Sequence, residues 1–110
     1  MQVLYLNSDQ MGAGDAELGR KLLPGFLKKI VDSEIPLDFV VCVNSGVFLT
    51  TADGEALESI RALESRGAKV ASCGTCLDHY GRRAALRVGV VGAMAETVEL
   101  LASATRVIRP

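Results

Sequence analysis

The sequence predicts an α/β fold: a single domain over residues 1–110, built as a three-layer sandwich around a mainly parallel sheet of about five strands. Short apolar segments rich in β-branched residues alternate along the chain with longer segments whose apolar residues recur at helical spacing. Short turns rich in Gly, Asn and Asp separate them. This alternation is typical of βαβ units with right-handed crossovers, and the chain is long enough for one hydrophobic core.

The first strand is predicted at residues 3–6, followed by a turn. From Asp15 onward, apolar residues recur every three or four positions and predict an amphipathic helix, with Asp15 and Glu17 in its first turn. Pro24 and Gly25 interrupt this pattern. Because an interior proline costs about 3 kcal/mol in a helix and a glycine about 1 kcal/mol more, we expect a kink or break there, with a shorter helical piece on each side.

Residues 38–43 form a continuous apolar run, as expected of a strand that is buried on both faces of a parallel sheet. Cys42 lies inside this run, and we interpret it as a small core side chain. After a polar turn, Thr51 or Asp53 is predicted to cap a second helix, and Gly67 is predicted to end it.

The second half of the chain continues the alternation. A third strand predicted at residues 68–72 leads into a short helix that begins at about Cys76. Leu86, Val88, Val90 and Val91 indicate a short fourth strand bounded by Gly89 and Gly92. A further helix from about Ala93 and a last strand at residues 106–108 complete the predicted sheet.

The charge pattern argues against several classes of function. The chain carries 12 Lys and Arg against 13 Asp and Glu, interspersed along its length, for a net charge of −1. Nucleic-acid binding is not expected, because the sequence has no basic stripe to replace counterions and no aromatic platform for bases. No segment approaches the roughly 20 apolar residues that span a bilayer, and no cleavable leader is evident. The sequence therefore predicts a cytoplasmic protein that does not enter membranes.

Apolar residues make up 49% of the chain but aromatic residues only 5%, so the core is predicted to be aliphatic. An apolar excess in so short a chain also predicts surface that is buried between subunits, and we expect a homo-oligomer. Three cysteines, an odd number, argue against a disulfide framework and favour reduced thiols.

Reactive side chains are concentrated in residues 72–81, where the third predicted strand ends. Cys73 and Cys76 lie there together with the only histidine. A thiol near a helix N-terminus faces unpaired N–H groups and the positive end of the helix dipole, which favour the thiolate. Gly74 would let the backbone turn tightly between the cysteines, and Thr75 would donate a hydrogen bond to a bound anion. This pair is predicted to attack a sulfur or selenium donor, hold a persulfide, and pass it on or release it by forming a disulfide.

Three loops each follow a predicted parallel strand, and such loops emerge at one edge of the sheet. We therefore expect a ligand-binding crevice at that edge. Its predicted lining residues are Asp9, Asn44, Ser45, Gly46, Cys73 and Cys76.

Three other interpretations of the cysteines remain open. A thioredoxin-type dithiol oxidoreductase shares the Cys-x-x-Cys spacing, but its motif follows a different strand order and usually has an aromatic residue where Ser72 stands. A soft metal would use Cys73, Cys76 and His79, yet a structural zinc site requires four ligands. No metal and no cofactor is therefore predicted. The third interpretation is a purely structural turn with a solvated His79.

The motif Ser-Cys-Gly-Thr-Cys-Leu-Asp-His-Tyr-Gly at residues 72–81, followed by Val-Gly-x-x-x-x-Met and a closing Arg-Val-Ile-Arg-Pro, resembles the DsrE-like sulfur-relay family. Within that family the chain is most similar to the DsrE-like domain of YedF-type selenium-metabolism proteins. Residues 8–19 and 44–51 resemble the opening motif and the second loop of that group, so the resemblance covers nearly the whole chain.

The resemblance implies a DsrE/YchN-like fold, assembly into trimers or hexamers, and persulfide carriage at the end of the third strand. Cys73 matches the position that carries sulfur in the relay members, and Cys76 resembles the second cysteine of the YedF-type branch. YedF-type proteins usually carry an N-terminal SirA/TusA-like domain with a Cys-Pro motif, whereas here Met1 begins the DsrE-like part directly. A SirA/TusA-like carrier is therefore expected to act from another chain.

Two functions follow from these observations. The first is a small relay protein for sulfur or selenium, with Cys73 as the acceptor nucleophile and Cys76 as the resolving or co-carrying thiol. Donor and acceptor proteins would be its partners. The alternative is a non-catalytic oligomeric module whose crevice holds a small ligand or a metal.

Overall fold

The computed structural model describes residues 1–110 and contains one five-stranded sheet with five α-helices. The strands run in the order β4-β3-β2-β1-β5, and every neighbouring pair is parallel. Their bounds are β1 (Gln2–Leu6), β2 (Phe39–Cys42), β3 (Lys69–Cys73), β4 (Val90–Gly92) and β5 (Arg106–Ile108). The predicted α/β class and the five-stranded parallel sheet are confirmed.

The helices connect these strands. Their bounds are α1 (Ala16–Asp32), α2 (Phe48–Thr51), α3 (Glu55–Ser65), α4 (Gly74–His79) and α5 (Met94–Ser103). Two short 3-10 segments, Asn44–Val47 and Arg83–Ala85, lie before α2 and before β4. None of the helices is both long enough and apolar enough to cross a membrane.

The strand order determines which face of the sheet each helix covers. From β1 to β4 the chain advances across the sheet in one direction, so right-handed crossovers place α1 and α3 on the same face. The return from β4 to β5 runs in the opposite direction and places α5 on the other face. One face is therefore covered by two long helices that pack against each other, whereas the second face has only the ten residues of α5.

The hydrophobic core is divided unequally between these faces. The main cluster, under α1 and α3, contains 17 buried residues. The cluster under α5 contains four, which are Val3, Val41, Val43 and Cys73. Since a fully buried aliphatic side chain contributes about 1.5–3 kcal/mol, the first face supplies most of the stability of the fold.

The predicted break at Pro24 and Gly25 is wrong, because α1 runs through both residues as one helix. Leu23 on one side of the proline and Leu27 and Ile30 on the other are all buried against the sheet. Burial of three such side chains contributes about 1.5–3 kcal/mol each, which outweighs the about 3 kcal/mol that the proline costs.

The start of this helix agrees with its sequence. Asp15 is the N-cap residue, and its carboxylate accepts a hydrogen bond from the backbone N–H of Leu18 at 3.1 Å.

The predicted cap of α3 is also wrong, since Gly54 precedes the helix and neither Thr51 nor Asp53 caps it. The hydroxyl of Thr51 instead donates to the carbonyl of Val47, at 2.9 Å, inside the short helix α2. Asp53 pairs with the guanidinium of Arg87. Sequence periodicity did not reveal α2, because one helical turn is too short to show a repeat.

Four smaller expectations concern single residues and element bounds. Gly67 ends α3 with a φ of 106°, as predicted. Cys42 is fully buried in the main core cluster, which confirms its interpretation as a core side chain. The fourth strand lies between the predicted bounds Gly89 and Gly92, whereas Leu86 and Val88 precede it, because pairing with β3 begins at Val90. The short helix after β3 begins at Gly74, two residues before the predicted start.

Candidate functional site

The ends of β1, β2 and β3 bring three loops together at the carboxyl edge of the sheet. The backbone N–H of Asp9 donates to the hydroxyl of Ser45 at 3.1 Å, which joins the first loop to the second. The backbone N–H of Val43 donates to the carbonyl of Leu6 at 3.0 Å. Gly46 is buried so closely against β1 that a Cβ atom there would overlap the carbonyl oxygen of Leu6.

A buried hydroxyl pair joins the second loop to the third. The side-chain oxygens of Thr50 and Ser72 lie 2.7 Å apart, and both side chains are inaccessible to solvent. Thr50 also donates to the carbonyl of Val47 at 3.1 Å, so Ser72 is left to donate to Thr50. Because unsatisfied buried hydroxyls are costly, this pair fixes the 3-10 segment against the end of β3, immediately before Cys73.

Cys73 is the last residue of β3 and the N-cap residue of α4. Its side chain is only 6% exposed and belongs to the small cluster beneath α5. It makes no capping hydrogen bond to α4. The structure therefore places this thiol in an apolar layer behind the loops.

Cys76 lies on the accessible side of α4. It is half-buried and lines a cavity of about 300 Å³ together with Asn44, Thr75, His79 and Tyr80. Its sulfur accepts a hydrogen bond from the backbone N–H of Asn44, at 3.1 Å. Of the two predicted site cysteines, only Cys76 opens into a cavity.

Opposing influences act on the pKa of the Cys76 thiol. Burial raises this pKa from the ordinary value of 9.0, and a hydrogen bond with the side chain of Cys73 raises it further. The N–H of Asn44 lowers it, because a donor pointed at the sulfur favours the thiolate. The net direction is upward, which differs from the sequence-based expectation of a thiol acidified by a helix terminus. Helix α4 has six residues. The backbone N–H of Cys76 in its first turn also lowers the pKa, but less than the N–H of Asn44 from the second loop does.

Asn44 is held by its own side chain. Its Oδ1 accepts hydrogen bonds from the hydroxyl of Tyr80 at 3.0 Å and from the backbone N–H of Ser45 at 2.8 Å. The ring of Tyr80 packs against Phe48, with ring centroids 4.7 Å apart, and against His79 at 5.0 Å. Tyr80 was not among the predicted site residues, although its position four residues after Cys76 places it one helical turn away.

Of the other predicted site residues, only Thr75 lines this cavity. Asp9 lies beside a second cavity of about 220 Å³, where its carboxylate is 3.5 Å from the guanidinium of Arg20. Ser45 forms the bridge between the first two loops. Gly46 and Gly74 are buried, and a Cβ at Gly74 would lie 3.0 Å from the side chain of Arg83.

The arginines that follow α4 are mostly paired. Arg83 contacts Asp78 at 2.8 Å, and Arg87 pairs with Asp53. Arg82 makes no salt bridge and lies over the ring of Phe48, 4.9 Å from its centroid. One guanidinium near the cavity is thus left without a carboxylate. No group of three or more Cys, His, Asp or Glu side chains is arranged to hold a metal ion.

The parallel five-stranded sheet and its helices define an α/β protein, and solved structures show that its fold is DsrE/YchN-like. The YchN protein of E. coli aligns with a TM-score of 0.64 and 17% identity, over 99% of this chain and 98% of its own. A protein of unknown function from Methanobacterium thermoautotrophicum aligns with a TM-score of 0.70 and 22% identity, over 99% of this chain and 97% of its own. A conserved protein of unknown function from Bacteroides thetaiotaomicron aligns with a TM-score of 0.65 and 13% identity, over 99% of this chain and 94% of its own.

These similarities establish the fold. No protein-family model matches the sequence, and no curated protein matches it. The chemistry of the site must therefore be argued from the residues themselves.

Proposed function

We propose that this protein is a sulfur or selenium relay that carries a persulfide, or its selenium equivalent, on the Cys73–Cys76 pair. One observation carries the proposal: the Cys76 sulfur lines a cavity, accepts an amide N–H, and has a second thiol, Cys73, near enough to raise its pKa. A protected anion-binding position beside a resolving thiol is what persulfide carriage requires.

The transfer is a thiol exchange in which atoms and electrons balance. The Cys76 thiolate attacks the terminal sulfur of a donor persulfide, a new S–S bond forms, and the donor cysteine leaves as a thiolate. An acceptor thiolate then removes the terminal sulfur in the same way. In the absence of an acceptor, the Cys73 thiolate attacks the Cys76 sulfur and expels hydrosulfide, so the two thiols are oxidised to a disulfide while the carried sulfur is reduced.

The structure and the family resemblance favour different thiols as the entry point. The resemblance assigns the carrier to Cys73, but that side chain is 6% exposed beneath α5. Cys76 faces the cavity. We therefore assign first contact with the donor to Cys76 and the resolving role to Cys73.

The identity of the partners belongs to the same proposal. The resemblance to YedF-type selenium-metabolism proteins favours a donor or acceptor with a SirA/TusA-like fold. The guanidinium of Arg82, which has no carboxylate partner, would attract an anionic persulfide or an acidic partner surface. Because the reaction needs reduced thiols, it belongs in the cytoplasm.

Mass spectrometry after incubation with a small persulfide donor tests the proposal. Trypsin releases Cys73 and Cys76 together in residues 70–82 and Cys42 separately in residues 30–61. With the donor alone, we expect a change in the first peptide only: a gain of one sulfur atom, or, where Cys73 has resolved the persulfide, a loss of two hydrogens accompanied by hydrosulfide release. Because the thiolate is the nucleophile and the pKa of Cys76 lies above its ordinary value, uptake should rise about tenfold per pH unit between pH 7 and 8.

Single serine variants give this experiment its controls. Cys76→Ser should lose the adduct, whereas Cys73→Ser should retain the adduct and lose hydrosulfide release. The reverse pattern would move the entry point to Cys73. The relay itself would be contradicted if, with every donor of this class, the native protein formed neither the adduct nor the disulfide with hydrosulfide, and Cys73→Ser formed no adduct.

A non-catalytic binding module is the second candidate, and the cavity beside Cys76 favours it. In that case the thiol is only part of the cavity wall, so Cys76→Ser would leave ligand affinity within about threefold, less than 1 kcal/mol. Under the relay, the same change abolishes transfer.

We further propose that the protein assembles into a trimer or hexamer through the face covered by α5. Large apolar side chains are exposed there. They are Val90 at 64%, Val98 at 59%, Met94 at 52% and Val107 at 42%. Patches of this kind are typical of subunit interfaces.

A charge placed in the centre of this patch should separate the subunits. We expect Val98→Glu to reduce the mass measured by light scattering to that of a monomer, because burying an unpaired carboxylate is costly. Ser65→Glu, on a helix of the opposite face, should keep the native mass. A monomeric native protein would contradict the assembly.

A further inference from the structure

We infer that Tyr80 is a positioning residue of the cysteine site, acting on Cys76 through Asn44. The inference deepens the proposed relay and depends on it only for its functional consequence, since the acidity of the thiol is measurable without any donor. The geometry is a chain of contacts: the Tyr80 hydroxyl donates to Asn44 Oδ1 at 3.0 Å, and the Asn44 backbone N–H donates to the Cys76 sulfur at 3.1 Å.

The backbone of Asn44 explains why such support is needed. Its φ is 51°, in the left-handed region that L-residues adopt only at a cost. This conformation turns the chain sharply after β2, at the residue whose N–H donates to the Cys76 sulfur. Two hydrogen bonds to Oδ1, from Tyr80 and from the N–H of Ser45 at 2.8 Å, hold the residue in that conformation.

Tyr80 and Cys76 are carried by the same element. Tyr80 is the C-cap residue of α4, and its backbone N–H donates to the Cys76 carbonyl at 3.2 Å. Contacts with Phe48 and His79 fix the ring. The Cys76 thiol and the Tyr80 hydroxyl are therefore held in a fixed relation to each other. Because the hydroxyl also binds the Asn44 side chain, it sets the distance between the Asn44 amide and the Cys76 sulfur.

The amide becomes more important as charge develops on sulfur. A hydrogen bond to an ionised acceptor is roughly twice as strong as one between neutral groups. The Cys76 thiolate, and the persulfide anion that would replace it, both gain from an N–H held in place before the charge appears. The expected consequence of releasing Asn44 is a less acidic Cys76.

The test is the pH dependence of the alkylation rate of Cys76, measured by mass spectrometry of residues 70–82 in a Cys73→Ser background. Tyr80→Phe keeps the ring contacts and removes only the hydroxyl. We expect it to raise the midpoint of the titration by about half a unit to one unit, and to slow alkylation at pH 7 by about three- to tenfold. Tyr5→Phe, at the only other tyrosine, should leave the midpoint unchanged.

A double-mutant cycle shows whether Tyr80 acts through Asn44. Asn44→Gly keeps the left-handed backbone accessible but removes the side chain that Tyr80 contacts. In the Asn44→Gly background, Tyr80→Phe should cause no further shift of the midpoint. The inference would be overturned if Tyr80→Phe shifted the midpoint equally with and without Asn44→Gly. It would also be overturned if Tyr80→Phe lowered the melting temperature but did not shift the midpoint. If the midpoint shifts but the native protein takes up no sulfur, the relay fails and this inference stands.

Discussion

Replacing Gly46 with alanine should destabilise the protein by about 3 kcal/mol and displace the loop that holds Asn44. A Cβ at this position would overlap the carbonyl oxygen of Leu6 and would lie 3.0 Å from its carbonyl carbon. Backbone atoms of a central strand cannot move aside as the end of a flexible side chain can. The second loop must therefore shift away from β1, and the bond from Asp9 to Ser45 must lengthen or break.

Thermal and urea unfolding measure this effect. For a chain of this size, a loss of about 3 kcal/mol lowers the melting temperature by roughly 15 °C. Gly25→Ala is the matched control, because a Cβ at Gly25 meets nothing within 4 Å in the middle of α1. It should raise the stability by about 0.5–1 kcal/mol. Equal effects of the two alanines would mean that the loop does not lie against β1.

The same substitution also tests the construction of the site. If the loop shifts, the backbone N–H of Asn44 loses its contact with the Cys76 sulfur, and the thiol becomes less acidic even in molecules that remain folded. Measured at a temperature where the variant is fully folded, the alkylation midpoint of Cys76 should therefore rise, as it should in Tyr80→Phe. If Gly46→Ala lowers the stability but leaves the alkylation midpoint of Cys76 unchanged, then the packing of Gly46 against β1 does not position the Asn44 amide.

Periodic apolar patterns predicted most of the fold. Leu57, Ile60 and Leu63 recur at helical spacing in the sequence, and all three are buried on α3. Patterns of this kind report burial, and burial determines which elements form. The break expected at Pro24 was wrong because it was predicted from the low helix propensity of proline and glycine. Propensity is a local property and does not show how much surface the helix buries on the sheet.

The candidate site was predicted less completely, because its geometry depends on contacts between loops. The sequence indicated the strand-end cysteines and the loop at Asn44. It gave no sign that Cys73 would turn beneath α5 while Cys76 faces a cavity, since that depends on where a six-residue helix begins. Nor could it show the contact between Tyr80 and Asn44, which are 36 residues apart in the chain.

At alkaline pH, Cys42 should dominate the loss of stability. Complete burial raises its pKa from 9.0 to about 12. Above pH 9 the unfolded chain releases this proton while the folded protein retains it, so the folded state loses stability as the pH rises toward 12. The full difference corresponds to about 4 kcal/mol, or about 1.4 kcal/mol for each pH unit within that window.

Urea unfolding of the native protein and of Cys42→Ala, at pH 8 to 11 under reducing conditions, isolates this effect because all other groups titrate in both proteins. At pH 8 the alanine variant should be the less stable, since it leaves a small cavity. By pH 11 the native protein should have lost about 2.7 kcal/mol more than the variant. Parallel profiles would mean that Cys42 reaches solvent in the folded state. A protected Cys42 also serves the relay experiment, because sulfur found on residues 30–61 then comes from unfolded molecules and not from the site.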